Sequence, residues 1–464
     1  MEKGVAIVLV ANILNMIFSV VTSFILPKYL SIDSYGYYKI FQLYANYLGI
    51  LHLGFVDGIY LKYGGKEIDE LDFSEVRESA ATIRNLQLLM SVCAVFVSVL
   101  FKNEIAIFLS LSLVPINMIA FYKNLYQATG RFKDYGFIIS LLPTIMFLCN
   151  IILLFFIKSD NYLCYIFVSF ISNLFLFFYS EIKGAKKFGR LNLWGFNIGL
   201  LKENIRSGLS LTIGNFASIF ITSIDRWCIQ WLMSIKEFSY YSFAVSVENL
   251  FNVCLSAVTT TLYNYLCKEQ EVDRIVKIKN YCAIIGVYMV SIAFAVKFVI
   301  QYWLSKYDSS IKCMFILICA HSFYFVIKAI YVNLYKARGQ QKHYLCQMIE
   351  VFVIALVLNL IGYYCISKTK EVFAYASLLT AIIWFFICWT EFKDIRGKGT
   401  EIIVILISSC IFLVSGNMVE NSWLGFAIYF ASTTIILYMF EKTVLMDFFK
   451  YSFEFLAKKV SKEK

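Results

Sequence analysis

Apolar runs of the length a helix needs to cross a bilayer, about 20 residues, recur from residue 4 to residue 440 with short polar breaks between them. Fourteen can be counted, at about 4–27, 36–60, 80–101, 105–127, 136–157, 162–181, 206–231, 238–266, 280–302, 312–335, 343–366, 371–390, 402–418 and 422–440. The pattern predicts an all-α integral membrane protein of about 14 transmembrane helices. The first run, Gly4 to Leu26, follows only Met1, Glu2 and Lys3 and ends without a small-residue cleavage pattern, so it reads as a retained span.

Composition sharpens this picture. With 60% hydrophobic and 16% charged residues among 464, the chain carries more apolar surface than one water-soluble core can hide. The thirteen cysteines are spread singly, without C-x-x-C pairs or zinc-site spacing, and act as small hydrophobes. A net charge of +11 invites thoughts of nucleic acid, but topology accounts for it. If the N-terminus is cytoplasmic, 30 of the 42 Lys and Arg fall in the loops, termini and adjoining span ends of that side, 8 in the opposite loops and adjoining span ends, and the other 4 within spans. The bias puts both termini in the cytoplasm and leaves no case for nucleic acid.

A repeat organises the chain. Asn124–Tyr135, NLYQATGRFKDY, returns 209 residues later as Asn333–Tyr344, NLYKARGQQKHY, with seven of twelve positions identical. A second echo, at an offset of 203, matches Ser31-Ile32 with Ser234-Ile235, Tyr37-Tyr38 with Tyr240-Tyr241, Asn12 with Asn215 and Asn46 with Asn249. The long motifs close spans 4 and 10, six spans apart and so on one side. The expected plan is therefore two six-helix lobes related by a pseudo-twofold axis along the membrane normal, with two appended helices. The segments are 1–181 (first lobe), 182–205 (cytoplasmic linker), 206–390 (second lobe), 391–440 (two added spans) and 441–464 (basic amphipathic tail). The linker, with Lys183, Lys186, Lys187, Arg190, Leu191, Leu193, Trp194 and Phe196, is either a plain connector or a segment lying on the membrane surface. The tail places Leu445, Phe448, Phe449, Phe453 and Leu456 opposite Asp447, Lys450, Glu454 and Lys458, as an interfacial helix would; a solubilising tail is the plainer reading.

Within the repeated motif, Gly130 and Gly339 follow long apolar runs, where a helix ends and a left-handed residue is wanted. Capping and interface anchoring by Tyr126, Tyr135, Tyr335 and Tyr344 explain the motif. A cytoplasmic gate in which Arg131, Lys133, Arg338 and Lys342 attract an anionic headgroup is compatible with that.

Charges inside spans cost about 2.5–3.5 kcal/mol each at mid-bilayer, so they are expected to face a cavity. Asp225 and Arg226 lie in span 7, where span 1 has Thr22-Ser23, and could simply pair with each other. Glu248 lies near the middle of span 8 without an adjacent cation, and Lys328 and Glu350 sit on neighbouring spans where they could pair. Lys39 and Lys297 lie near span ends and are expected to snorkel to the headgroups. His52 and Asp57 read as interfacial. Walker A, G-x-S-x-G, H-E-x-x-H and dinucleotide fingerprints are all missing, and no loop is long enough for a catalytic domain.

Several stretches resemble the Wzx-like oligosaccharide flippases of the multidrug/oligosaccharidyl-lipid/polysaccharide (MOP) exporter superfamily. They are Ser34-Tyr35-Gly36-Tyr37-Tyr38, Leu53-Gly54-Phe55-Val56-Asp57-Gly58 with Lys62-Tyr63-Gly64, Gly130-Arg131-Phe132-Lys133, and Ile224-Asp225-Arg226 followed by Phe238-Ser239-Tyr240-Tyr241. The second lobe departs by placing Ser239 where the first has Gly36, which leaves the turn into span 8 open. The resemblance implies a non-enzymatic, cofactor-free transporter of the bacterial cytoplasmic membrane for O-antigen, capsule or exopolysaccharide assembly. Its substrate would be an oligosaccharide on undecaprenyl pyrophosphate, flipped from inner to outer leaflet by alternating access coupled to a proton or sodium ion. Membrane lipids, a polysaccharide polymerase and chain-length machinery would be its partners. A pyrophosphate needs cations along its path, for which Arg226, Lys328 and Lys39 are candidates, while Asp225, Glu248 and Glu350 are candidates for the coupling ion. No metal site is expected. The rivals are a cation-coupled multidrug or metabolite exporter or a lipid II flippase of the same superfamily and, from a different class, a membrane glycan polymerase or ligase.

Overall fold

The computed structural model describes residues 2–189, 195–268, 271–396, 399–448 and 450, and all secondary structure among them is helical. Eleven helices are long and apolar enough to cross a bilayer, matching predicted segments 3–6 and 8–14, and a broken pair at segment 7 makes a twelfth. Segment 1 is the continuous helix α1 (Glu2–Tyr29), whose side chains are described from Asn15 onward. Segment 2 is not one rod. It divides into α2 (Ile32–Ala45), a short 3-10 stretch (Leu48–His52) and α3 (Phe55–Tyr63).

The chain forms two compact units, Met1–Phe220 and Ile221–Lys464. The first also contains α4 (Phe73–Leu100), α5 (Glu104–Ala128), α6 (Phe132–Ile152), α7 (Tyr162–Phe188) and most of α8 (Ile198–Ile221). Here α5 packs against α4 and α7, and α1 against α6. Phe55, Val56 and Ile59 of α3, Met118, Phe121 and Tyr122 of α5 and Leu176 of α7 share its core.

The break in segment 2 exposes carbonyls that lipid could not satisfy. Two polar side chains meet them: Gln87 of α4 donates to Leu51 O at 2.8 Å, and Asn117 of α5 to Leu48 O at 3.3 Å and to Gln87 Oε1 at 2.9 Å. Just beyond, α3 and α8 touch backbone to backbone. A Cβ on Gly58 would lie 2.1 Å from Asn204 O, and one on Gly208 would lie 2.1 Å from Gly54 O. Small residues at such crossings let helices approach where no hydrophobic force drives them together. Asp57 and His52 are buried against neighbouring helices in this region. Thr212 of α8 hydrogen-bonds the Asp57 carboxylate, and His52 Nδ1 accepts the Gly54 N–H at 3.1 Å.

Gly195 and Asn197, at the end of the predicted linker, are held to α4 by Asn85 and Thr82, while Phe196 is exposed. Arg190, Leu191, Leu193 and Trp194 lie outside the described residues, as do Phe449, Phe453, Glu454, Leu456 and Lys458 of the tail.

The second unit contains α9 (Ile224–Leu232), α10 (Ile235–Leu266), α11 (Val272–Met289), α12 (Ile292–Trp303), α13 (Ile311–Cys319), α14 (His321–Val326), α15 (Val332–Ala337), α16 (Gln341–Ile361), α17 (Lys370–Glu391), α18 (Thr400–Met418) and α19 (Ser422–Phe440). Its central post is Ser305–Ala337, whose most apolar window is 89% buried and which touches α10, α11, α17 and α18. A five-residue π stretch, Ile327–Tyr331, joins α14 to α15.

The appended α18 is fixed at both ends. Lys279 of α11, wholly buried, donates to Ile395 O at 2.8 Å, Arg396 O at 2.7 Å and Glu401 Oε1 at 2.6 Å. Lys297 of α12, expected to snorkel, instead lies 4% exposed and donates to Gly416 O at 2.8 Å and Val419 O at 2.6 Å. It satisfies the orphan carbonyls at the negative end of α18, which a cation in a dry setting does better than water.

The echoes in the sequence are helix ends. Gly130 and Gly339 have φ of +67° and +70°. In the first copy Arg131 N–H bonds Tyr126 O at 2.8 Å and Gly130 N–H bonds Gln127 O at 3.3 Å; in the second Gln340 N–H bonds Tyr335 O at 2.8 Å and Gly339 N–H bonds Lys336 O at 3.2 Å. Both are Schellman caps in one register. The other echo starts helices: Ser31 and Ser234 are N-caps whose side chains accept from Ser34 N–H at 3.3 Å and Glu237 N–H at 3.4 Å. The exchange of Gly36 for Ser239 therefore leaves the entry to α10 built like the entry to α2. The Asn46/Asn249 pair diverges, since Asn46 ends α2 at the break while Asn249 lies inside continuous α10.

Candidate functional site

A row of polar groups runs through the second unit, starting at the first turn of α9. Asp225 is 5% exposed. Its Oδ2 accepts the Tyr241 hydroxyl at 2.5 Å and the Ser377 hydroxyl at 3.2 Å, and its Oδ1 accepts the Arg226 backbone N–H at 2.7 Å. The carboxylate is thus satisfied by three neutral donors. Arg226 makes no direct salt link to it: Nη2 donates to Thr222 O at 3.4 Å, and the buried Nε has no hydrogen-bond partner. The simple neutralised pair is not what the fold builds.

Tyr241, Glu248 and Asn252 follow along α10 at spacings of seven and four, which places them on one face. That face meets His321, Tyr324 and Lys328 of the central post. Glu248 Oε1 lies 3.2 Å from His321 Nε2, and His321 is wholly buried. Lys328, on the π stretch, donates to Asn252 Oδ1 at 3.3 Å and stands 5.0 Å from the centre of the Tyr324 ring. π stretches occur often at functional positions, because the extra residue re-aims side chains within a helix.

Five of the six sequence candidates lie in the second unit, and four of them, Asp225, Arg226, Glu248 and Lys328, lie on or beside this row. Glu350 is not among them. It is exposed on α16 and forms no ion pair with Lys328 among the described residues. Lys39 lies on α2 in the first unit, half-buried, with its ammonium 5.3 Å from the centre of the Tyr35 ring. His321 and Asn252 escape the sequence reading, and Tyr241 enters it only as part of an echo and a resemblance, not as a site residue. The available signal was one of only three histidines, set inside the apolar run Ile316–Val326.

Other buried cations show what neutralisation looks like here. Lys279 has Glu401 at 2.6 Å, Lys370 has Glu237 at 2.7 Å and Arg84 has Glu181 at 3.6 Å. Arg226 and Lys328, like Lys297 at the end of α18, differ, since the acceptors within hydrogen-bond distance are neutral oxygens, here a carbonyl and an amide oxygen. No carboxylate bonds either cation directly, so each keeps hydrogen-bonding capacity for an anion.

Comparisons with known proteins fit this architecture. The structure superposes on that of the lipid II flippase MurJ in an inward closed conformation with a TM-score of 0.70 and 15% identity, covering 96% of this chain and 100% of that one. An inward-facing multidrug resistance MATE family transporter of the MOP superfamily matches with a TM-score of 0.57 and 12% identity, covering 82% of this chain and 96% of that one. At such identities the likeness is one of fold. No curated protein sequence matches the chain significantly. The family model described as "Polysaccharide biosynthesis protein" matches residues 1–270, more than half of the chain. The protein is therefore a multi-pass membrane protein of the polysaccharide biosynthesis protein family, within the MOP exporter superfamily.

Proposed function

We propose that this protein flips an oligosaccharide repeat unit, carried on undecaprenyl pyrophosphate, from the inner to the outer leaflet of the bacterial cytoplasmic membrane by ion-coupled alternating access. It acts as a transporter, without cofactor, in the assembly of a surface polysaccharide such as O-antigen or capsule. The carrying observation is the pair Arg226 and Lys328, two intramembrane cations whose hydrogen-bonding acceptors are neutral, in a chain of the polysaccharide biosynthesis family. A pyrophosphate would give them the directly bonded anionic partner that no carboxylate supplies, and hydrocarbon alone would not admit it. Lys39 serves as a further cation in the first lobe, and Asp225 and Glu248 carry the coupling ion. Glu350, exposed on α16, is the weakest of the coupling candidates. A polymerase and chain-length machinery would take over the flipped unit.

The test is a deletion strain from which lipid-linked oligosaccharide and surface glycan are extracted and assigned to leaflets. Single repeat units should accumulate on the cytoplasmic leaflet while surface glycan disappears. Units that reach the outer leaflet but do not lengthen would identify a polymerase. Unchanged glycan with raised drug sensitivity would identify a small-molecule exporter, and arrest of cell-wall synthesis a lipid II flippase. With membrane levels held normal, Arg226→Glu and Lys328→Glu should each stop export; a variant that exports normally removes its residue from the path.

A further inference from the structure

Midway along the polar row, Glu248 and His321 meet at 3.2 Å, one on α10 and the other on α14. His321 is wholly buried, its ring tilted at 5.8 Å from that of Phe251 and edge-on at 5.7 Å to Tyr324, and its Nδ1 has no hydrogen-bond partner. Packing alone would be served by Phe or Leu at this position, without a bare ring nitrogen in a dry core.

We propose that Glu248 and His321 together form one proton-binding site inside the second unit, and that its occupancy sets the charge presented beside Lys328. This deepens the ion-coupling part of the transport reading, and rests on that reading for the anion but not for the proton. In the unloaded form the imidazole donates Nε2–H to Glu248 and leaves Nδ1 as a lone pair, so the pair carries one negative charge. A proton arriving on Nδ1 or on the second carboxylate oxygen makes the pair neutral.

The surroundings give that step leverage. From α9 the site is faced by Asp225, which Arg226 adjoins, from α10 by Tyr241, from α14 by Tyr324 and from the π stretch by Lys328. Asp225, Tyr241, Tyr324 and Lys328 all lie within electrostatic reach of Glu248. From α17 come the uncharged Ser377 and Trp384, and α11 presents Gly286 to Ser322 and Phe325. Before the proton binds, Asp225 and Glu248 balance Arg226 and Lys328. Afterwards one positive charge is uncompensated, so an anion at Lys328 and a proton at the pair favour each other, and by linkage each strengthens the other's binding.

Infrared difference spectra of the full-length protein in detergent, between pH about 8 and about 5 where an imidazole titrates, test the site without any ligand. The wild type should show a proton-uptake transition that Glu248→Gln and His321→Gln each displace or abolish, because each leaves only half of the pair. Lys328→Met, which removes a neighbouring positive charge, should raise its midpoint by on the order of one pH unit, and Asp225→Asn should lower it by a similar amount. A transition that either glutamine variant leaves unmoved, or a midpoint unmoved by both neighbouring substitutions, overturns the proposal; the neighbouring pair decides it even where a glutamine variant fails to fold. Inorganic pyrophosphate separates the two readings. If it binds more tightly as pH falls in the wild type but not in His321→Gln, both stand; if it binds at no pH while the transition behaves as described, the proton site stands and the anionic substrate does not.

Discussion

Single residues carry much of what is distinctive here, and glycine is the plainest case. Gly130 and Gly339 have no atom within 4 Å of an added Cβ, so their positive φ alone selects glycine. Gly130→Ala and Gly339→Ala should each cost about 1–2 kcal/mol from the left-handed backbone of an L-residue, seen as a lowered melting temperature in detergent, and asparagine should cost less than alanine. These positions were legible because a local rule governs them. Lys279 is the opposite case, its partners lying more than 110 residues away. Lys279→Met should cost about 3–5 kcal/mol by stranding Glu401 without a counter-ion. The double variant Lys279→Met/Glu401→Leu should recover much of that in the same melt, and failure to recover would show that the carbonyl contacts dominate.

At the scale of elements, helix content and order were readable from apolar periodicity, while the break in segment 2 was not. Residues 36–60 are apolar enough to pass as a rod, and what makes a break tolerable is the pair Gln87 and Asn117 on other helices. A sequence shows that such amides exist but not which carbonyls they meet. The Glu248–His321 contact was hidden in the same way, because 73 residues separate the partners and histidine was not sought as a match for a carboxylate. The α3–α8 crossing gives an internally controlled test. Gly208→Ala would place its Cβ 2.1 Å from Gly54 O and 2.2 Å from Gly58 N, whereas Gly214→Ala on the same helix meets nothing within 4 Å. The first should destabilise by about 1–3 kcal/mol through overpacking, and the second should be neutral or stabilise by roughly 0.5–1 kcal/mol. Equal effects would mean that α3 and α8 do not approach so closely in the membrane.

For the whole molecule, the charge count makes a topological prediction. Reporter fusions after Lys66 and after Phe440 should both read cytoplasmic, and one after Lys306 should read external; a reversed pattern would show that the lysine and arginine bias does not set orientation here. The twofold plan shows in helix ends and starts rather than in the spans themselves, since one half interrupts its second segment where the other keeps α10 continuous. Finally, the grip of Lys279 and Lys297 on the two ends of α18 ties this helix to α11 and α12 at both of its ends. A fluorophore or antibody epitope placed on the loop between α18 and α19 would therefore act as a pointer rigidly mounted on the second unit. It would report that unit's posture through a working cycle while touching none of the polar row.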